Sequence, residues 1–136
     1  MPIKYFEAPD IKQQITEIIE ALGFFHAVPQ FIWCFKSKGS KSGRTIARIH
    51  GMGKIWQEAL SIPAYYAIET ISERYDNLTK EEQEKVLIHE LLHIPKGFAG
   101  GFRPHKGYID KKTVESLYRT LQKQRQNKRQ LASDTE

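Results

Sequence analysis

His89-Glu90-Leu91-Leu92-His93 is the group in this 136-residue chain whose residue types and spacing could do chemistry. On a helix, residues four apart lie one above the other on one face, so the imidazoles of His89 and His93 can share a tetrahedral metal ion. Glu90 is turned by about 100° from His89. That keeps it off the metal but beside the open coordination position, where a carboxylate can take the proton of a water held there. Zinc suits such a site, because it accepts imidazole nitrogen, needs no redox chemistry and brings the pKa of its water to about 7. The expectation is one zinc per chain. With five histidines and twelve glutamates in the sequence, chance would give about 0.02 matches to the pattern.

A third protein ligand is needed, and three residues are candidates. His105 lies twelve residues past His93, beyond Gly97, Gly100 and Gly101, which give the chain slack to fold back. Glu115 lies twenty-two residues past His93, and Asp110 stands between them. His105 is favoured, since imidazole is the commonest metal ligand and Arg103-Pro104-His105 presents it from a constrained loop, with Glu115 as the alternative. Tyr108 and Arg103 are chemically able to stabilise a developing oxyanion, although Tyr108 also suits packing and Arg103 a surface ion pair.

The elements that must position these residues can be read locally. Ile11, Ile15, Ile18, Ile19 and Leu22 come after Asp10 at helical spacing, and Gly23 is a natural stop. Residues 31–35 and 45–50 have strand composition and flank a Lys/Ser/Gly stretch, which predicts a hairpin with a basic loop. Residues 54–60 fit strand or helix equally. Residues 65–71 read as a third strand. Thr79 with Glu82 predicts a capping box at the start of the helix that carries the motif, apolar nearly all round from Val86 to Ile94 and ended by Pro95. A last helix from about Lys111 carries Val114, Leu117, Tyr118 and Leu121 on one face. Beyond Gln122 a polar extension fraying into disorder is expected. The predicted class is α+β, a small twisted sheet packed against the central motif helix with N- and C-terminal helices. The domain division is 1–122 for the body and 123–136 for a basic tail.

Composition excludes several alternatives. The longest apolar stretch, residues 24–35, is interrupted by His26, Pro29 and Gln30 and falls short of the roughly 20 residues needed to span a bilayer. The first residues lack the features of a secretory signal, and a single cysteine, Cys34, cannot form an internal disulfide. A cytoplasmic location is the expectation. Residues 1–100 hold twelve basic and twelve acidic side chains, whereas residues 101–136 hold nine and four, so the whole net charge of +5 sits at the C-terminal end. Lys123, Arg125, Lys128 and Arg129 have no aromatic interleaving and read as a solvated tail. His26 and His50 read as structural or surface histidines, Cys34 as a buried small side chain, and Trp33 and Trp56 as core.

The motif resembles the zincin superfamily of metallopeptidases. The metzincin pattern would want glycine at position 96 and histidine at position 99, where this chain has Lys96 and Ala99. A closer resemblance is to the phage-type metallopeptidase domains, carried by Val86-Leu87-Ile88-His89-Glu90-Leu91-Leu92-His93-Ile94-Pro95, a glycine-containing loop and Arg103-Pro104-His105. It is sharp over residues 64–108 and weaker upstream. It implies a zincin-like α+β fold, with residues 65–71 as the strand beside which substrate lies. It also implies His89, His93 and His105 as metal ligands and Glu90 as base.

The expected function is zinc-dependent hydrolysis of a peptide or protein substrate lying along an exposed strand edge. Two rivals are an interaction module stabilised by structural zinc and a nucleic-acid-associated protein. The latter would dock phosphate through the basic tail and the Lys38, Lys41 and Arg44 loop, and is not favoured. The intact Glu90 argues against the first, since a structural site has no use for a general base.

Overall fold

The isoleucine stripe builds the first helix where its periodicity predicts one. In the computed structural model, which describes residues 2–41, 43–103 and 109–134, helix α1 (Pro9–Leu22) buries Ile11, Ile15, Ile18 and Ile19. Its first position is proline, whose missing N–H would have no helical partner there. Gly23 ends it with a φ of 64°. The Phe24 N–H then reaches the Ile19 carbonyl and the Gly23 N–H that of Glu20, a Schellman ending that needs a residue at ease with positive φ.

The sheet has four strands in the order β1-β2-β4-β3, namely β1 (Lys4–Glu7), β2 (Ile32–Lys38), β3 (Ala47–Gly51) and β4 (Tyr66–Ile71). Strand β1 is exposed at every position, so it carries no alternation to read. Strands β2 and β4 are parallel, from Ile32 opposite Tyr66 to Ser37 opposite Ile71. The outer strands pair antiparallel, β1 on β2 and β3 on β4. This corrects the predicted hairpin, because β4 is inserted between the two segments expected to pair. Strand β4 has no exposed residue, and a strand covered on both faces belongs in the interior of a sheet with a ladder on each side. Residues 54–60, open on periodicity, form helix α2 (Lys54–Leu60).

One sheet face carries the long helices. Ile32, Cys34, Tyr66 and Ile68 join Ile15, Ile18, Leu87, Ile88, Leu91 and Leu121 in one core, each fully buried aliphatic side chain contributing about 1.5–3 kcal/mol. On the opposite face Trp33 is 52% exposed, and Trp56 of α2 is 61% exposed. With Phe35, Leu60, Ile62 and Tyr65 they line an apolar groove. Neither tryptophan is the core residue that the sequence suggests. Strand alternation decides the first case, since burying Cys34 against the helices sends Trp33 to the other side. Glu69 is nevertheless buried there, accepting from Ser37 Oγ at 2.6 Å, with His50 Nε2 at 2.8 Å and Arg48 Nε at 3.4 Å from its carboxylate.

After the short helix α3 (Ser72–Tyr75), helix α4 (Lys80–Leu92) starts from the predicted capping box. The Glu82 N–H donates to Thr79 Oγ1 at 3.2 Å, and the Thr79 N–H donates to the Glu82 carboxylate at 3.0 Å. Helix α5 (Lys111–Asp134) opens with the Thr113 N–H donating to Asp110 Oδ1 at 2.7 Å and buries Val114, Tyr118 and Leu121. It continues unbroken through the basic residues after 122. Arg125, read from sequence as a solvated charge, turns back onto the body. Its Nη1 donates to Glu84 Oε1 at 3.0 Å, its Nη2 to Glu84 Oε2, and its Nε to Glu17 Oε1 at 2.9 Å. Burial of Glu84 supplies the reason, because a carboxylate inside a helix interface needs a cation. The architecture is α+β, and no described helix is long and apolar enough to cross a membrane.

Candidate active site

Helix α4 has Leu87, Ile88 and Leu91 turned into the core, which leaves His89 and His93 half-buried at the margin of its packed face. Their ring centroids are 5.1 Å apart with the planes inclined at 71°, the neighbour relation expected of residues one helical turn apart. Glu90 is only 7% exposed. Burial pushes its carboxyl up to about 7, because desolvation disfavours the charged form.

The chain beyond α4 turns back on the motif. The Arg103 N–H donates to the His93 carbonyl at 2.7 Å, and the Arg103 carbonyl lies 3.0 Å from His93 Nδ1. A carbonyl oxygen only accepts, so Nδ1 carries the hydrogen in this contact, the tautomer that a metal on Nε2 would require. Two imidazoles one helical turn apart are donors of the kind a metal ion of this class takes.

Opposite α4 stands the edge strand β3. Ala47, Arg48 and Ile49 line a cleft of about 420 Å3 together with His89, Glu90, His93, Phe102 and Arg103. The Ile71 N–H donates to the Ile46 carbonyl across the β3–β4 ladder, and antiparallel pairing alternates. The backbone groups of Ala47 and Ile49 consequently point away from β4. A neighbouring cavity of about 610 Å3 shares Ala47, His89 and Glu90 with the cleft and has Ile46, Val86, Ile109 and Val114 among its apolar lining. The resemblance implies residues 65–71 as the strand facing substrate. Strand β4 is paired on both sides, and the strand at the sheet margin beside α4 is β3.

His89, Glu90, His93 and Arg103 are thus brought to one cleft. Glu115 lines the adjoining cavity, but its carboxylate accepts from Lys85 Nζ at 2.9 Å, while Lys85 also meets Glu81 at 3.0 Å. Lys85 accordingly holds the Glu115 carboxyl below its ordinary pKa. Asp110 is spent as a helix cap. His105 and Tyr108 lie outside the described residues. Among the described residues, no group of three or more His, Cys, Asp and Glu side chains stands together as a metal-holding set. His26 is structural, its Nε2 3.3 Å from the Leu91 carbonyl.

Two residues beside the site escape sequence reasoning. Gln57 donates to the carbonyls of Met52 and Ala99, both at 2.9 Å. The Tyr66 hydroxyl accepts from the Gly100 N–H at 2.9 Å and donates to the Gly101 carbonyl at 2.8 Å. Both act on backbone far along the chain, and no local pattern announces such contacts.

A family model described as "Putative phage metallopeptidase" matches residues 3–129. Comparison with curated proteins and with solved structures finds no match.

Proposed function

The chain belongs to the phage metallopeptidase family, and from that premise we propose that it is a zinc-dependent peptidase of the zincin type, cutting peptide or protein substrates between β3 and α4. The observation that carries this reading is the cleft in which two imidazoles and a desolvated carboxylate face the margin of a sheet. His89, His93 and His105 would hold the metal. Engagement of Glu115 by Lys85 supports His105 over Glu115 as third ligand. Zinc bound there supplies Lewis acidity toward a carbonyl and lowers the pKa of water.

The chain's own residues do the rest. The backbone groups of Ala47 and Ile49 pair with an extended peptide, setting its carbonyl over the motif helix. Glu90 accepts a proton from the attacking water and returns it to the departing amine, a role that its burial beside the two imidazoles supports. Arg103 lines the cleft, which supports a role in offsetting oxyanion charge, one that Tyr108 would share on chemical grounds. The rival that gives the basic tail to nucleic acid loses one of its cations, since Arg125 is used inside the fold.

Zinc per chain, by elemental analysis of protein purified without chelator, tests the reading. About one zinc in the wild type, lost in His89→Ala and His105→Ala but kept in Glu115→Ala and Glu90→Gln, is the expected result. A folded wild type that refuses added zinc overturns it.

A further inference from the structure

We propose that Tyr66 and Gln57 are positioning residues for His93, acting through the backbone of residues 99–103 to fix which imidazole nitrogen is offered to the metal. The proposal rests on the metallopeptidase reading for its consequence and on separate contacts for its geometry.

Residues 99–101 are docked, backbone against backbone, on the connection between β3 and α2. A Cβ on Gly51 would lie 2.3 Å from the Gly100 carbonyl oxygen, and one on Gly100 would lie 2.0 Å from that of Met52, at a φ of 99°. So close an approach leaves no room for a side chain between the two backbones, and hydrogen bonds from two side chains hold the pair together. Tyr66 provides them on one side, its hydroxyl taking the Gly100 N–H and giving its own proton to the Gly101 carbonyl. Gln57 provides them on the other, its amide nitrogen joining the Met52 and Ala99 carbonyls and so pinning the loop to the end of β3.

Phe102 and Arg103 come next in the chain. The Phe102 ring meets Tyr66 edgewise at 6.0 Å and His93 at 6.5 Å, with planes at 89° to the latter. The Arg103 backbone then closes two hydrogen bonds on His93, one to its carbonyl and one from its Nδ1. The carbonyl that selects the His93 tautomer is therefore held by a backbone whose own anchor is Tyr66 and Gln57. The Arg103 carbonyl is the partner one step removed from a metal, whose loss typically changes affinity by about 10–100-fold, and Tyr66 and Gln57 act through it.

The experiment uses the full chain at pH 8. Long-range 1H–15N correlation spectra of the metal-free protein report the His93 tautomer, and competition with a chromophoric chelator gives zinc affinity. The wild type is expected to carry its hydrogen on Nδ1. Tyr66→Phe and Gln57→Ala should mix the tautomers and weaken zinc binding by about tenfold, the lower end of what loss of the Arg103 carbonyl itself would cost. Ile18→Val, which trims the core remote from the loop, should change neither readout. A wild-type hydrogen on Nε2, affinity within about twofold of wild type in Gln57→Ala, or equal weakening in Ile18→Val overturns the proposal. If Tyr66→Phe does not fold, Gln57→Ala decides alone. A wild type that takes up no zinc defeats the peptidase reading instead, and the tautomer of the metal-free protein then decides this proposal.

Discussion

Arg125 grips both carboxylate oxygens of Glu84, forty-one residues earlier, and so fastens the last helix to the helix of the motif. Glu84 is fully buried, and removing its partner leaves an uncompensated charge in the interface. Arg125→Ala is expected to cost about 3–5 kcal/mol in urea unfolding. Lys123→Ala, on an exposed position of the same helix, should stay within about 0.5 kcal/mol of wild type. A chain cut after residue 122 should show the larger loss.

Glu90 should make the metal-free protein less stable as pH rises. Its folded pKa of about 7 stands above its ordinary value of 4.5. Its contribution is therefore fully present below pH 4.5 and lost as pH climbs through 7. Glu90→Gln removes that dependence. It is expected to stabilise the metal-free chain by roughly 3 kcal/mol at pH 8 and to change little at pH 4. The same variant, loaded with zinc, should lose about 10²–10⁴-fold in kcat on any peptide that the wild type cleaves.

Glu69 has the opposite sign. Burial pushes its pKa up, but the Ser37 hydroxyl, His50 and Arg48 outweigh it and hold the carboxyl below its ordinary value of 4.5. Its stabilisation is present above pH 4.5 and fades as pH falls through the depressed value. Glu69→Gln should cost about 1–3 kcal/mol at pH 7 and progressively less under acid. Urea midpoints for both proteins across that range check it.

If peptides pair with β3, the Ile49 N–H is one of the groups they use. Ile49→Pro deletes that donor while leaving the ladder to β4, since proline is tolerated where the N–H faces away from the sheet. The expected outcome is a KM raised about tenfold for the cost of one lost hydrogen bond, with zinc content unchanged. A KM equal to that of wild type would place substrate elsewhere.

Local signals carried the parts that were readable. The isoleucine spacing, Gly23, the Thr79 capping box and the four-residue separation of His89 and His93 each act within a helical turn or two, and each appears where the pattern puts it. The pairing of β2 with β4 joins Ile32 to Tyr66 across thirty-three intervening residues, so nearness in sequence favoured a hairpin that the fold does not make. Trp33 misled because its size suggested burial, whereas its position in the alternation with Cys34 settles the face. Arg125 looked like one more charge in a basic run. Only the burial of Glu84 on another helix distinguishes it.

Both tryptophans of the chain sit by the sheet face away from the long helices, Trp33 at 52% exposure and Trp56 at 61%. With each indole about half open to water, the emission of the folded protein should be quenched by iodide and should shift less on unfolding than that of a buried tryptophan. A fluorescence melt would therefore follow the unfolding of this fold with a smaller amplitude than circular dichroism, at the same midpoint. The same two indoles make a built-in reporter for anything that settles on that aromatic face.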